Sequence, residues 1–194
     1  MNTDFHKLTG KGRNTYLTRK ELQSRSEYNL LLKQLETGAM LRIKAGVYAR
    51  PEILSEPVPD ISKIVPEGIL CLYSAWSHHQ LSVQVPATIC VAVKRGRKVK
   101  LPDYPKITLY RISIKHLHLG VIRTRVGKWK LPIYDLERSV CDALRYRNKI
   151  GIETSSEILR NYLNRSDRNL EKLHRYAKEL RIDSLLSTYL QISL

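Results

Sequence analysis

"LETGAMLRIKAGVYAR", residues 35–50, decides the fold of the N-terminal half. A helical pattern runs into Gly38, and two short runs, 40–44 and 47–50, then alternate apolar and polar side chains around Ala45-Gly46. Alternation on both sides of a glycine predicts a hairpin, and Gly38 suits the left-handed position just past a helix end. Two readings fit: a recognition helix feeding a basic β-wing, or an ordinary helix-to-hairpin junction that carries arginine and lysine.

Upstream of this stretch, Thr18 and Glu21 have capping-box spacing and predict a short helix over 18–23. Ser24 and Glu27 repeat the spacing and open a second helix, with Tyr28, Leu31, Leu32 and Leu35 as its apolar stripe. Arg25, Asn29, Lys33, Gln34 and Glu36 occupy its other face. Two short helices closed by a two-stranded wing form a winged helix-turn-helix. Residues 1–14 hold Gly10 and Gly12 with little periodicity and predict no first helix.

Downstream, Pro51, Pro57, Pro59 and Pro66 interrupt any helix, which predicts a linker over 51–66 between a module at 1–50 and a larger α/β domain at 67–194. That domain starts with a buried helix through Ile69, Leu70, Leu72, Tyr73 and Trp76. "ATICVAV" follows as a central strand, and "KITLYRISI" and "LGVIRTRV" as half-buried strands with Arg111, Arg123 and Arg125 on their polar positions. A helix capped by Asp135 turns Leu136, Val140 and Leu144 inward. Helices near 154–164, 167–180 and 183–192 finish a small sheet with C-terminal helices, so the class is α+β.

Thirty-four Lys and Arg against 18 Asp and Glu leave 194 residues with a formal charge of +16. That balance favours a polyanionic partner. Residues 1–50 carry ten basic and four acidic residues and residues 67–150 sixteen and five, whereas 151–194 are nearly balanced at seven and six. Every strongly apolar run is soon broken by charge or proline, which predicts no membrane span, and MNTDFHKLTGKGR has no apolar signal-peptide core. Cys71, Cys90 and Cys141 are widely spaced among apolar neighbours, as expected of buried free thiols in a reducing cytoplasm.

Three segments could carry function. A helix entering a major groove needs short polar and basic groups at its N-terminal end, and Arg19, Ser24, Arg25, Ser26, Asn29 and Lys33 supply them. A solvated helix face fits the same pattern. On the hairpin, Arg42, Lys44 and Arg50 could reach phosphates or a minor groove, although basic side chains also blunt exposed sheet edges. Residues 93–106 hold six basic residues in a Gly- and Pro-containing loop. Lys94, Arg95, Arg97, Lys98 and Lys100, with Arg123 and Arg125, form a second basic patch for nucleic-acid backbone, or a solvated loop.

Enzymatic signals are poor. His78-His79 and His116-Leu117-His118 have no acid or thiol at ligand spacing, which predicts no metal site. "LPDYPK" lacks the paired acids that metal-dependent phosphodiester cleavage requires. No phosphate loop or nucleophile elbow occurs, so no catalytic residue and no cofactor are expected.

Three segments in order resemble the AbiEi-like antitoxins of bacterial abortive-infection (type IV toxin–antitoxin) systems: "LLKQLETGAMLRIKAGVYAR", "CLYSAWSHHQLSVQVPATICVAV" and "IYDLERSVCDALRYR". Together they span roughly residues 17–147. The resemblance implies a winged-helix DNA-binding domain, a C-terminal antitoxin domain and repression of its own operon through double-stranded operator repeats. It also implies a functional partner, a nucleotidyltransferase-type toxin, counteracted without a necessary stable complex. Within the helix capped by Asp135, Glu137, Arg138 and Asp142 read as structural, through an Arg–carboxylate pair at i, i+4. The competing expectation is a basic RNA- or protein-interaction module with a vestigial winged helix, and a metal-dependent nuclease comes third.

Overall fold

Apolar residues at Leu17, Leu31, Met40 and Tyr48 are spaced to close one small core, and they do. The computed structural model describes residues 16–55, 58–84 and 87–193, a mixed α+β structure with eight α-helices and two sheets among those residues. The chain divides into two units. One takes in the chain up to Pro66 with Val99–Lys106 and Gly127–Trp129, and the other takes in Glu67–Lys98, Ile107–Val126 and the chain from Lys130 on.

In the first unit, β1 (Tyr16–Thr18), the helix α1 (Arg25–Glu36), β2 (Leu41–Lys44) and β3 (Val47–Ala49) follow in chain order, and the strands form an antiparallel sheet in the order β1-β3-β2. Strand β1 was not anticipated. The helix expected over 18–23 is a single 3-10 turn, Arg19–Glu21, because Thr18 is already paired with Val47 in the sheet and only three residues remain before Leu22 turns into the core. The capping box forms nonetheless, with the Thr18 N–H donating to the Glu21 carboxylate. The lack of a first helix was expected for residues 1–14, which lie outside the described residues.

Helix α1 starts where its sequence directs. The Ser24 hydroxyl accepts from the Glu27 N–H at 3.2 Å, while the Glu27 carboxylate accepts from the Ser24 and Gln23 N–H groups. Leu31 is fully buried and Tyr28, Leu30 and Leu35 pack beside it, whereas Leu32, expected in the stripe, is exposed. The hairpin turns at Ala45-Gly46, where Gly46 takes φ +76°, a value that costs glycine little.

The expected linker is instead packed structure. Pro51–Ser55 forms a 3-10 turn and α2 (Ile61–Ile64) is capped by Asp60, with Ile53, Ile61, Ile64 and Val65 all buried. The prolines stop long helices, as expected, but the isoleucines between them supply apolar surface that a solvated linker lacks. The unit boundary also moves, since 99–106 and 127–129, expected in the second domain, belong to the first unit.

The second unit carries β4 (Ile69–Leu70), α3 (Leu72–His78), β5 (Ile89–Lys94), β6 (Ile107–Ile112), α4 (Ile114–Leu117), β7 (Val121–Val126) and, from Lys130 on, β8 (Trp129–Tyr134), then α5 (Leu136–Ile150), α6 (Ile152–Leu163), α7 (Leu170–Glu179) and α8 (Asp183–Ser193). The sheet order is β6-β5-β4-β8-β7, with β5 parallel to β6, and β4 antiparallel to β5 and parallel to β8. Ile69 and Leu70, expected in a helix, are therefore strand, and β8 was not expected as one. "ATICVAV" does lie inside the sheet. The two helix-side residues Cys90 and Ala92 join Trp76, Val140, Leu144, Ile158, Leu159, Leu173 and Leu186 in one large core. No helix among the described residues is long and apolar enough to cross a membrane.

Helix α5 is the axis of this core. Nine consecutive residues, Leu136 to Leu144, are buried, Glu137, Arg138 and Asp142 among them. The Arg138 Nε donates to Asp142 Oδ1 at 3.1 Å, and its Nη1 donates to the carbonyls of His116 at 2.8 Å and Leu119 at 3.1 Å. Gly120 passes so close that a Cβ there would lie 2.6 Å from the Arg138 Cβ, and its φ is +73°. Asp142→Ala would strand the buried guanidinium and should cost about 3–5 kcal/mol of stability by urea unfolding. Arg138→Met combined with Asp142→Leu should recover most of that loss, because it removes both charges and leaves no orphan.

Candidate nucleic-acid interface

The two capping boxes that shape residues 18–27 also decide which charges remain outside. Glu21 is bound by the Thr18 N–H and hydroxyl and by the Lys63 ammonium, and Glu27 by two backbone N–H groups. Burial raises the Glu21 pKa, but Lys63 and Thr18 outweigh it and hold the carboxyl below its ordinary value. Among the described residues, neither Arg19 nor Arg25 is paired with a carboxylate, and both side chains are exposed. They rim an open cleft of about 510 Å³ lined by Arg19, Leu22, Gln23, Ser24, Arg25 and Tyr28. The Arg19 guanidinium lies over the Tyr28 ring, 4.4 Å from its centroid.

The other residues expected on this surface divide. Ser26, Asn29 and Lys33 are exposed along α1. Ser24 is exposed but its oxygen is occupied as the N-cap, and it also bonds the Ser26 hydroxyl at 2.9 Å. Arg42 is exposed on β2, and Arg50 is half-buried just past β3. Lys44 departs from expectation: its ammonium donates to the backbone carbonyls of Ile64 and, at 3.4 Å, Lys100. The cause is a bulge between Arg42 and Lys44, where Arg42 faces Tyr48 and Lys44 already faces Val47. The extra residue flips Lys44 to the opposite face from Arg42.

The residues of the second basic patch are spread over several elements. Lys94 ends β5, Arg95, Arg97 and Lys98 follow it, and Arg123 and Arg125 stand on β7, three strand positions away, or about 14 Å at ordinary strand spacing. Arg97 is paired with Glu67 at 3.2 Å, and Lys100 belongs to the other unit.

Leu22, Gln23 and Tyr28 line the cleft without having been expected on it. Tyr28 had been placed in the apolar stripe, and no helical spacing links Arg19 to a ring nine positions on, across a turn.

A second polar cluster surrounds the start of α5. Asp135 Oδ1 caps the helix by accepting from the Arg138 N–H, and its Oδ2 accepts from the Tyr176 hydroxyl and the Lys172 ammonium, both at 3.0 Å. Glu137 Oε2 accepts from Lys172 at 2.9 Å, and Oε1 from the Asn169 N–H and the Tyr162 hydroxyl. All four carboxylate oxygens are occupied by protein donors, which suits a structural tie better than acid–base chemistry. His116 lies in α4, and burial lowers the pKa of both His79 and His116. Among the described residues no group of three His, Cys, Asp or Glu is placed to hold a metal ion. The three thiols are free and buried, and burial pushes each up from its ordinary value, away from thiolate reactivity.

No family model matches the chain, and no curated protein matches it.

Lys172 gives the cluster a measurable pH signature. Burial works against its charge, but Glu137 and Asp135 raise its pKa from 10.5 to about 12. A raised folded-state pKa contributes stability that is complete below 10.5 and is lost as pH rises through about 12. Lys172→Met should therefore be less stable than the parent protein at neutral pH, with the gap in thermal midpoint closing across that alkaline window.

Proposed function

We propose that the first unit is a winged-helix DNA-binding module and that the protein is a transcriptional regulator of antitoxin type, acting on double-stranded operator repeats of its own operon in the cytoplasm. The observation that carries this reading is the pair of uncompensated arginines, Arg19 and Arg25, at the open N-terminal rim of α1. The acids beside them are consumed by capping. Two further features support it. The order strand, turn, helix and hairpin, with β1-β3-β2 pairing, is the connectivity in which a helix is held exposed against a small sheet. Asn29 and Lys33 continue the polar face along the helix, with Asn suited to adenine edges and Arg to guanine.

The antitoxin part of the reading rests on the resemblance of the three motifs. Under it, a nucleotidyltransferase-type toxin is the functional partner, counteracted without a stable complex, and the second unit is the part that opposes it. No reaction is assigned to this chain.

Binding of the full chain to duplex DNA from upstream of its own gene, followed by fluorescence anisotropy across a salt series, tests the proposal. The parent protein should prefer that DNA over random duplex and weaken steadily with salt. Arg25→Ala should lower affinity for every duplex alike and reduce the log–log salt slope by about one. No preference at any salt would overturn the reading.

A further inference from the structure

We infer that Arg19 is the residue that determines sequence preference, by forked hydrogen bonding to a guanine in the major groove, and that hairpin β2–β3 contacts no base. The inference rests on the DNA-binding reading and assigns its specificity to one side chain. Among the described residues of this unit, Arg19 differs from the other exposed arginines in having its guanidinium over an aromatic ring, with Cζ 4.4 Å from the Tyr28 centroid. Phosphate contacts need only a positive charge, and a flexible side chain delivers it. Reading the O6 and N7 acceptors of guanine needs a planar fork in a fixed orientation, and stacking on a ring removes the rotamer freedom that binding otherwise has to remove. Arg19 also lines the open cleft beside Gln23, Ser24 and Arg25, whose volume of about 510 Å³ is large enough for a base edge.

The hairpin is built against such a role. Its turn is two residues, Ala45-Gly46, with no side chain longer than a methyl group, and the Gly46 carbonyl accepts the Arg19 N–H at 2.8 Å. A wing that reads a minor groove needs a basic side chain projecting from its tip. Here Lys44 beside the tip turns to the carbonyls of Ile64 and Lys100. Arg42, two residues further from the tip, is exposed and suited to a phosphate.

Duplexes enriched by the full-length parent protein from a randomised pool provide the probe, tested against random duplex and with single guanines replaced by 7-deazaguanine, which lacks the N7 acceptor. For the parent protein, one such replacement should weaken binding about tenfold. Arg19→Lys keeps the charge and should bind random duplex within about twofold of the parent. It should lose about tenfold on the enriched duplex and be indifferent to the replacement. Tyr28→Leu, which keeps an apolar side chain but frees Arg19, should lose part of the same preference. Arg42→Ala should weaken enriched and random duplexes equally. An Arg19→Lys protein that keeps the parent's preference overturns the inference, as does an Arg42→Ala protein that loses it. In both cases the DNA-binding reading stands. A parent protein that enriches nothing overturns both.

Discussion

Arg138 is a fully buried charged group, and the second unit is arranged to make that tolerable. Its guanidinium gives one bond to Asp142 and two to the carbonyls that end α4 and begin the turn into β7, and it lies 4.3 Å from the centroid of the Tyr134 ring. Desolvation works against the charge, and the carboxylate four residues on restores it. Two consequences follow from one side chain. The turn at residues 116–120 cannot leave α5, and Gly120 must lack a side chain. The Asp135 cap then closes the same knot from the other side: its N–H donates to the Gly120 carbonyl at 2.7 Å, and its carboxylate receives Tyr176 and Lys172 from α7. Sheet, turn and helical layer are therefore coupled through polar atoms inside an apolar core, where misregister would leave a buried charge unpaired.

Much of this was legible in the residues, and the failures have physical causes. Capping signals are local, so Ser24, Glu27 and Asp135 announced their helices, and period-2 alternation announced β2, β3, β6 and β7. The i, i+4 spacing of Arg138 and Asp142 was read as a structural pair, and the geometry has that form. What failed depended on distant partners. Ile69–Leu70 is too short to show a period, and only pairing with β5 and β8 makes it strand. The 51–66 stretch looked like a linker because proline is a strong local signal, whereas the burial of Ile53, Ile61 and Ile64 depends on what packs over them.

The candidate interface was legible as a set of residue types but not as a geometry. Sequence patterns rank basic residues by position, yet their use is decided by which acceptor each one meets. Lys44 and Lys63 look as available as Arg25 in the sequence, but one is drawn to backbone carbonyls by a bulge and the other to the carboxylate of a capping box. The stacking of Arg19 on Tyr28 left no trace in periodicity, because it joins residues on the two sides of a turn.

The excess of positive charge is thus a poor guide until its internal partners are subtracted. A capping carboxylate does two things at once: it satisfies backbone N–H groups that the helix start leaves open, and it is held out of direct contact with arginines nearby. In residues 18–27 the sequence places one acid per box and one arginine beside each, so the demands of forming the 3-10 turn and α1 themselves strip the arginines of partners. The lack of a direct carboxylate partner for the arginines at the cleft is then a by-product of helix initiation, and changing either glutamate would alter local folding and surface charge together. That coupling gives a physical reason why the fold of this short segment and its proposed contact with a polyanion cannot be varied independently.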